Sequence, residues 1–323
     1  MSLGLEDIRA ASLRLRGRAV RTPLLEATAA SKIAGAWVFA KPEVLQRTGS
    51  FKFRGAMSRL SLLSEDERGR GVVAFSSGNH AQAVACAARD MGTSAVIVMP
   101  SDAPRLKIEN TRNHGAEVVL YDRVKEDRVA IGQRLAKERG LVLVPPFDDY
   151  HVMAGQGTIG LELVADAAQQ GVAFDLVLVP CSGGGLAAGI ATALAALSPR
   201  TRVVAVEPRT HDDLARSLSA GARVANPAGR TSICDSLMVD QPGALTFPLL
   251  QAAGVAAVSV SDSEAMAAMA HAFYEMKLVV EPGGAVALAA LLSGKLDARD
   301  KTVCVVMSGG NVDADMFQRA LSH

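Results

Sequence analysis

Leu176-Val177-Leu178-Val179-Pro180-Cys181-Ser182-Gly183-Gly184-Gly185-Leu186 is an apolar run that breaks into three glycines and then into a string of small residues. Aliphatic residues bounded by a turn signal read as a strand buried on both faces, the situation of a parallel sheet. The stretch over 185–197 reads as a helix. Consecutive glycines let backbone amides approach an anion, and the helix start adds free N–H groups and the positive end of its dipole. The loop lacks the Gly-Lys-Ser/Thr of a nucleoside-triphosphate loop and the spaced glycines and downstream acid of a dinucleotide fingerprint. A phosphate monoester suits it better. A flexible turn is the plain alternative, and a nucleotide-binding oxidoreductase is an outside reading of the glycines alone.

The same strand-then-helix rhythm runs outward in both directions. Strands are expected at 72–75, 95–99, 117–121, 141–144, 203–206, 257–260 and 303–307. Helices are expected at 5–16, 80–90, 103–113, 125–139, 153–169, 211–219, 283–293 and from about 313. Ser261-Asp262-Ser263-Glu264 is a capping box opening a helix to Met276. The fold class that follows is α/β, with mainly parallel sheets covered by helices on both faces. Pro145-Pro146 marks the best boundary. It suggests two doubly wound lobes, a smaller one over 48–144 inserted into a larger one made of 1–47 and 145–323.

Thirty-four basic residues stand against 33 acidic ones, a net charge of +1, so no electrostatic footprint points to nucleic acid or a membrane surface. No apolar run reaches membrane-spanning length, and the charged first 18 residues hold no signal-peptide core. Cys86, Cys181, Cys234 and Cys304 lack metal or disulfide spacing. They read as reduced thiols of a cytoplasmic protein.

Three further stretches carry chemistry. In Gly49-Ser50-Phe51-Lys52-Phe53-Arg54-Gly55 one lysine sits between two aromatic rings. An apolar pocket disfavours the ammonium and lowers its pKa, as a Schiff-base lysine needs; a strand lysine with its phenylalanines on one face is the plain alternative. Ser76-Ser77-Gly78-Asn79-His80 lies between a strand and a helix, where it could hold a carboxylate or simply cap the helix. Met307-Ser308-Gly309-Gly310-Asn311 closes the last strand and offers a hydroxyl to a heterocyclic nitrogen. A lysine, a phosphate cradle, a carboxylate loop and a ring-nitrogen hydroxyl together describe a pyridoxal phosphate site.

These motifs, with Thr22-Pro23-Leu24, Lys41-Pro42-Glu43, Ala154-Gly155-Gln156-Gly157-Thr158 and Glu281-Pro282-Gly283-Gly284, make the chain resemble the fold-type II pyridoxal phosphate enzymes, in their serine/threonine dehydratase and serine racemase branch. The resemblance spans nearly the whole length. It implies that Lys52 bonds the cofactor, Phe51 stacks on its ring and Asn79 meets the ring hydroxyl. Ser182, Gly183, Gly184, Gly185 and Leu186 would hold the phosphate, and Ser308 the ring nitrogen, with Glu281 in the same set. Ser76, Ser77, Asn79 and His80 would take the substrate carboxylate, Ser77 doubling as the acid/base opposite Lys52. The segment from Glu207 to Asp213 resembles a divalent-cation site for Mg²⁺ or Ca²⁺, formed by the Glu207 and Asp213 carboxylates and the His211 carbonyl; a capped helix start with solvated acids is the alternative.

Two departures bear on the substrate. Cys234-Asp235-Ser236 stands where threonine dehydratases carry Ala-Asp-Gly, which brings Ser236 toward the substrate side chain. Arg128 falls where some relatives bind a second carboxylate, although a solvated surface arginine is the plainer reading of a charged helix. The function implied is β-elimination from threonine or serine to a 2-oxo acid and ammonia. The alternatives are 3-hydroxyaspartate dehydration, serine or aspartate racemisation and, outside catalysis, a silent amino-acid-binding protein. Dimers or tetramers are the family habit, and no C-terminal regulatory domain is expected.

Overall fold

The computed structural model describes residues 2–76, 78–103 and 105–323. Ser77 therefore lies outside the described residues. Ten strands are described: β1 Leu25–Glu26, β2 Trp37–Pro42, β3 Val72–Phe75, β4 Ala95–Pro100, β5 Glu117–Tyr121, β6 Val142–Leu143, β7 Leu176–Pro180, β8 Arg202–Pro208, β9 Ala256–Val260 and β10 Thr302–Met307. They form a six-stranded sheet in the order β1-β2-β10-β7-β8-β9 and a four-stranded sheet in the order β5-β4-β3-β6. Only β1 runs antiparallel to its neighbour; every other described pairing is parallel. The α/β class with mainly parallel sheets is as the sequence implies.

Side chains alternate across a strand, and here both sets are apolar. Val177 and Val179 face a core with Ile159, Leu163 and Leu194. Leu176 and Leu178 face a second core with Val286 and Ala290 of the helix Pro282–Leu292. A run without polar alternation is thus a strand sandwiched between helices. β10 inserts between β2 and β7, with Val305 opposite Ala40 on one side and Leu178 on the other. Its carboxyl end consequently lies beside that of β7, where ligands of open α/β sheets bind.

Several expectations need correction. β2, the short β1 and the helices Thr28–Ala34, Glu65–Arg70 and Thr246–Ala252 were not expected. Lys52 opens a helix, Lys52–Leu60, and does not belong to a strand. Phe53 does not face a pocket: it is buried in the core of the four-stranded sheet's helices, under the Arg47 guanidinium at 4.4 Å. The polar helix begins only at Arg128, because the Asp127 carboxylate accepts from Val129 N at 2.8 Å and caps it there.

The helix Lys52–Leu60 packs on Tyr150–Gln169 with the backbones nearly touching. A Cβ on Gly155 would stand 2.6 Å from the Arg54 carbonyl oxygen and 2.7 Å from Gly55 Cα. The Ala154-Gly155-Gln156-Gly157-Thr158 motif thus serves helix packing, with Gln156 Oε1 accepting from Gly55 N at 3.1 Å. Gly155→Ala overpacks this contact and is expected to destabilise the fold by about 1 to 3 kcal/mol, measured by urea unfolding; an unchanged midpoint would contradict the rigid contact.

Candidate active site

One pocket lies at the carboxyl ends of strands from both sheets, and most sequence-singled residues line it. Lys52 enters at the start of its helix, with Nζ donating to the Pro146 carbonyl at 2.7 Å and standing 5.1 Å from the Phe51 ring centre. Burial lowers its pKa to about 8, against a smaller upward push from Glu281. A neutral amine is therefore accessible near physiological pH.

The glycine loop follows β7 and opens the helix Gly185–Leu197. Gly184 has φ +93°, and a Cβ there would fall 2.8 Å from Thr246 Oγ1; at Gly183 it would fall 2.5 Å from the Phe147 ring. Only glycine fits the loop as folded. Ser182 Oγ is buried and has no hydrogen-bond partner among the described residues. An unpartnered buried hydroxyl at a helix N-terminus suits a phosphate oxygen.

Asn79 opens the helix Asn79–Asp90 and works inside a network. Its Nδ2 donates to Glu281 Oε1, and its Oδ1 accepts from Asn311 Nδ2 at 2.7 Å. One amide N–H is left to donate. His80 Nε2 donates to the Val144 carbonyl at 2.9 Å, which leaves Nδ1 buried and unpartnered. Burial, with Lys52 nearby, pushes the imidazole down to about 3, so it stays neutral. Ser76 Oγ accepts from Gly78 N at 3.2 Å, a local turn that exposes the loop to the pocket. Ser308 is buried at the pocket wall, its carbonyl accepting from Phe51 N at 3.0 Å.

Burial raises the Glu281 carboxyl above its usual range, partly relieved by Lys107. Lys107 is a residue that sequence reasoning missed. From the helix Arg105–Asn113 its Nζ reaches Asp235 Oδ2 at 2.8 Å and Glu281 Oε2 at 3.9 Å. Its neighbours Arg105, Glu109 and Arg112 make the segment read as solvated, so no periodic signal marks it. Ser236 also lines the pocket, and a Cβ on Gly283 would stand only 2.3 Å from its hydroxyl. Of its two readings, surface arginine and substrate contact, Arg128 is half-buried and lines the pocket, with no ion pair among the described residues.

Glu207, His211 and Asp213 are not part of this pocket. The carboxylates of Glu207, near the end of β8, and Asp213, at the start of the next helix, lie close together behind Cys181, whose thiol burial and those carboxylates push up. Glu207 accepts from Leu214 N at 2.8 Å and Ala215 N at 2.9 Å. Asp213 Oδ1 accepts from Asn226 Nδ2 at 2.7 Å, and its Oδ2 is buried without a partner. Burial and mutual repulsion raise Glu207 to about 8, and burial raises Asp213 to about 6. The His211 ring turns to Thr210 Oγ1 at 3.1 Å. Among the described residues no three His, Cys, Asp or Glu side chains are grouped to hold a metal. Two crowded carboxylates and one orphaned oxygen nevertheless suit a hard cation completed by carbonyl and water oxygens.

Residues 15–309 match a family model described as pyridoxal-phosphate dependent enzyme. The chain is 43% identical over 317 residues to an L-threo-3-hydroxyaspartate ammonia-lyase of Pseudomonas sp, covering 98% of this chain and 97% of the relative. It is 41% identical over 318 residues to an L-threonine ammonia-lyase of Thermotoga maritima, covering 98% of this chain and 78% of the relative. The solved structure of maize serine racemase superposes with a TM-score of 0.93 at 34% identity, over 100% of this chain and 98% of that one.

The lowered Lys52 pKa fixes a pH dependence, because only the neutral amine attacks an aldehyde. Uptake of pyridoxal phosphate by the cofactor-free protein, followed by visible absorbance, is expected to quicken as pH rises through about 8 and to level off above it. A midpoint near the ordinary lysine value of 10.5 would show that burial does not act on this amine.

Proposed function

The chain belongs to the pyridoxal-phosphate-dependent enzymes, and from that membership we propose that it is an ammonia-lyase. It removes the β-hydroxyl of an amino acid such as threonine or serine and yields a 2-oxo acid and ammonia. The observation that carries this reading is that the depressed Lys52 amine and the orphaned Ser182 hydroxyl face one pocket at the ends of two sheets.

Bound pyridoxal phosphate supplies the electron sink that labilises the substrate's Cα–H bond. Ser182, Gly183, Gly184, Gly185 and Leu186 would hold its phosphate, with the helix dipole behind them. The remaining amide N–H of Asn79 would meet the ring hydroxyl, and Phe51 the ring face. Ser308 would offer the ring nitrogen a neutral hydroxyl, which stabilises a carbanion less than an aspartate does and so suits prompt loss of a β-substituent over transamination. Ser76, Asn79 and His80 would receive the α-carboxylate at a helix N-terminus.

Lys52 takes the proton from Cα as general base, its Nζ oriented by the Pro146 carbonyl. The Cβ–O bond then breaks as the Cα–Cβ double bond forms, and the hydroxyl takes up a proton, in net the one Lys52 removed, and leaves as water. The released aminoacrylate tautomerises and is hydrolysed to the 2-oxo acid and ammonia. Racemisation would need Ser77 as the second acid/base.

Glu207, Asp213 and the His211 carbonyl would hold Mg²⁺ or Ca²⁺, whose charge relieves two crowded carboxylates behind the glycine loop. A cytoplasmic location accords with four free, buried cysteines. Among the described residues no helix is long and apolar enough to cross a membrane. Assembly into dimers or tetramers is proposed on the resemblance alone.

A second reading, 3-hydroxyaspartate as substrate, is favoured by the placement of Arg128 in the pocket without an ion pair. A guanidinium suits a carboxylate.

Ammonia and 2-oxo acid release from L-serine, L-threonine and the 3-hydroxyaspartates tests both readings. Activity on at least one of them is expected, lost in Lys52→Ala together with the bound cofactor's visible absorbance; silence on all would overturn the assignment. Arg128→Ala should lower kcat/KM on 3-hydroxyaspartate by about 10- to 150-fold, the equivalent of about 1.5 to 3 kcal/mol for a charged hydrogen bond. A uniform small effect would remove Arg128 from the site. Chelation should lower the melting temperature, and Mg²⁺ or Ca²⁺ should restore it. Unchanged melting would end the metal reading.

A further inference from the structure

Two fixed cations line the pocket, and the protein neutralises one of them. Arg128 has no ion pair among the described residues, whereas Lys107 is held by Asp235 at 2.8 Å, with Glu281 at 3.9 Å. The stem of Lys107 crosses Gly78: a Cβ there would stand 3.2 Å from Lys107 Cδ and 3.3 Å from Nζ. The absent side chain of Gly78 therefore admits an ammonium beside the loop assigned above to the substrate carboxylate. The pair is unevenly exposed. Both line the pocket, and with the Lys107 side chain 6% accessible against 36% for Asp235, the carboxylate is the more open member.

We propose that Asp235 sets the charge class of the substrate by masking Lys107. Pairing takes the second cation out of a ligand's reach and puts a negative charge toward whatever the substrate carries on Cβ. A neutral β-substituent is tolerated there, while a second carboxylate meets a like charge, which is unfavourable in a partly desolvated site. Whatever attraction Arg128 offers a second carboxylate, Asp235 opposes. The proposal rests on the reading of this pocket as the site of a β-hydroxy amino acid.

Asp235→Asn is nearly isosteric, keeps an acceptor for Lys107 and removes only the charge. In the cofactor-loaded enzyme it is expected to raise the kcat/KM ratio of 3-hydroxyaspartate over threonine by about tenfold or more, mostly through KM. Lys107→Gln, which leaves Asp235 uncompensated, should move the ratio the other way. The double variant should return toward the starting ratio. A merely structural ion pair would lower both substrates alike, and an unchanged ratio in Asp235→Asn would overturn the proposal.

Equilibrium binding of succinate against butyrate by the loaded protein supplies a readout that needs no turnover. Succinate should tighten about tenfold in Asp235→Asn while butyrate does not. Equal succinate binding in the wild type and Asp235→Asn would overturn the proposal. Silence of the wild type on every β-hydroxy amino acid would instead strike the assignment of the reaction, with the succinate comparison still deciding the role of Asp235.

Discussion

Arg54 is only 1% exposed and carries a full charge into the interior, which is tolerable only where carboxylates meet it. Glu43 meets it through Nε and Nη2, both at 2.8 Å, and Glu162 through Nη1 at 2.6 Å. Lys41 extends the cluster to Glu162 at 2.8 Å and Asp166 at 3.3 Å, and Thr22 donates to Glu43 at 2.6 Å. Burial alone would pull the guanidinium down, yet Glu43 and Glu162 hold it above its ordinary value, so it never titrates. Three segments must be in place together for this cluster to close: the end of β2, the helix Lys52–Leu60 and the helix Tyr150–Gln169. Removing one partner of a buried pair costs about 3 to 5 kcal/mol. Since Arg54 follows Lys52 by two residues, the same constraint sets the direction from which the Lys52 amine enters the pocket.

A second tie completes the site from the far end of the chain. Phe51 N donates to the Ser308 carbonyl at 3.0 Å, and Gly310 N to the Gly49 carbonyl at 2.9 Å. Ser50 and Gly309 pair as an isolated antiparallel bridge. Asn311 then donates to the Thr48 carbonyl at 2.8 Å and to Asn79 Oδ1. The segment before Lys52, the end of the last strand and the start of the helix at Asn79 are thereby one hydrogen-bonded unit, and a shift of β10 in its slot between β2 and β7 would displace all three.

What the sequence revealed divides along physical lines. The strands 72–75 and 117–121 and the helix 185–197 fall on the expected residues, because apolar runs bounded by turn residues record a local constraint. The strand-end loops were legible for a similar reason: glycines and several polar residues exceed what a turn needs. β2 was missed because Lys41 interrupts its pattern, and the carboxylates that let that lysine be buried, Glu162 and Asp166, lie more than 100 residues away. Lys107 was missed because a charged helix looks solvated until a second element covers one face, and Arg128 was for the same reason open to a surface reading beside that of a substrate contact. Ser236 was legible as a departure, but its packing against Gly283 depends on residues nearly 50 positions on. Long-range pairing of charge is what a single sequence conceals.

The two pocket lysines make the point in energetic terms. Both are withdrawn from water, and desolvation lowers both. Lys52 has a neutral carbonyl as its hydrogen-bond partner and only Glu281 as a counter-charge, so burial prevails and its pKa falls to about 8. Lys107 has Glu281 and Asp235 together, which outweigh burial, and its pKa rises. One residue type thus becomes an amine that gives up its charge readily and a permanent charge fit for holding position, and the placement of two carboxylates decides which is which. Glu281 lies between them, with Asn79 on one oxygen and Lys107 near the other. A change in the charge of Glu281 must therefore move both lysines together, so the Lys52 amine and the Lys107 cation beside Gly78 are electrostatically coupled through a single carboxyl group.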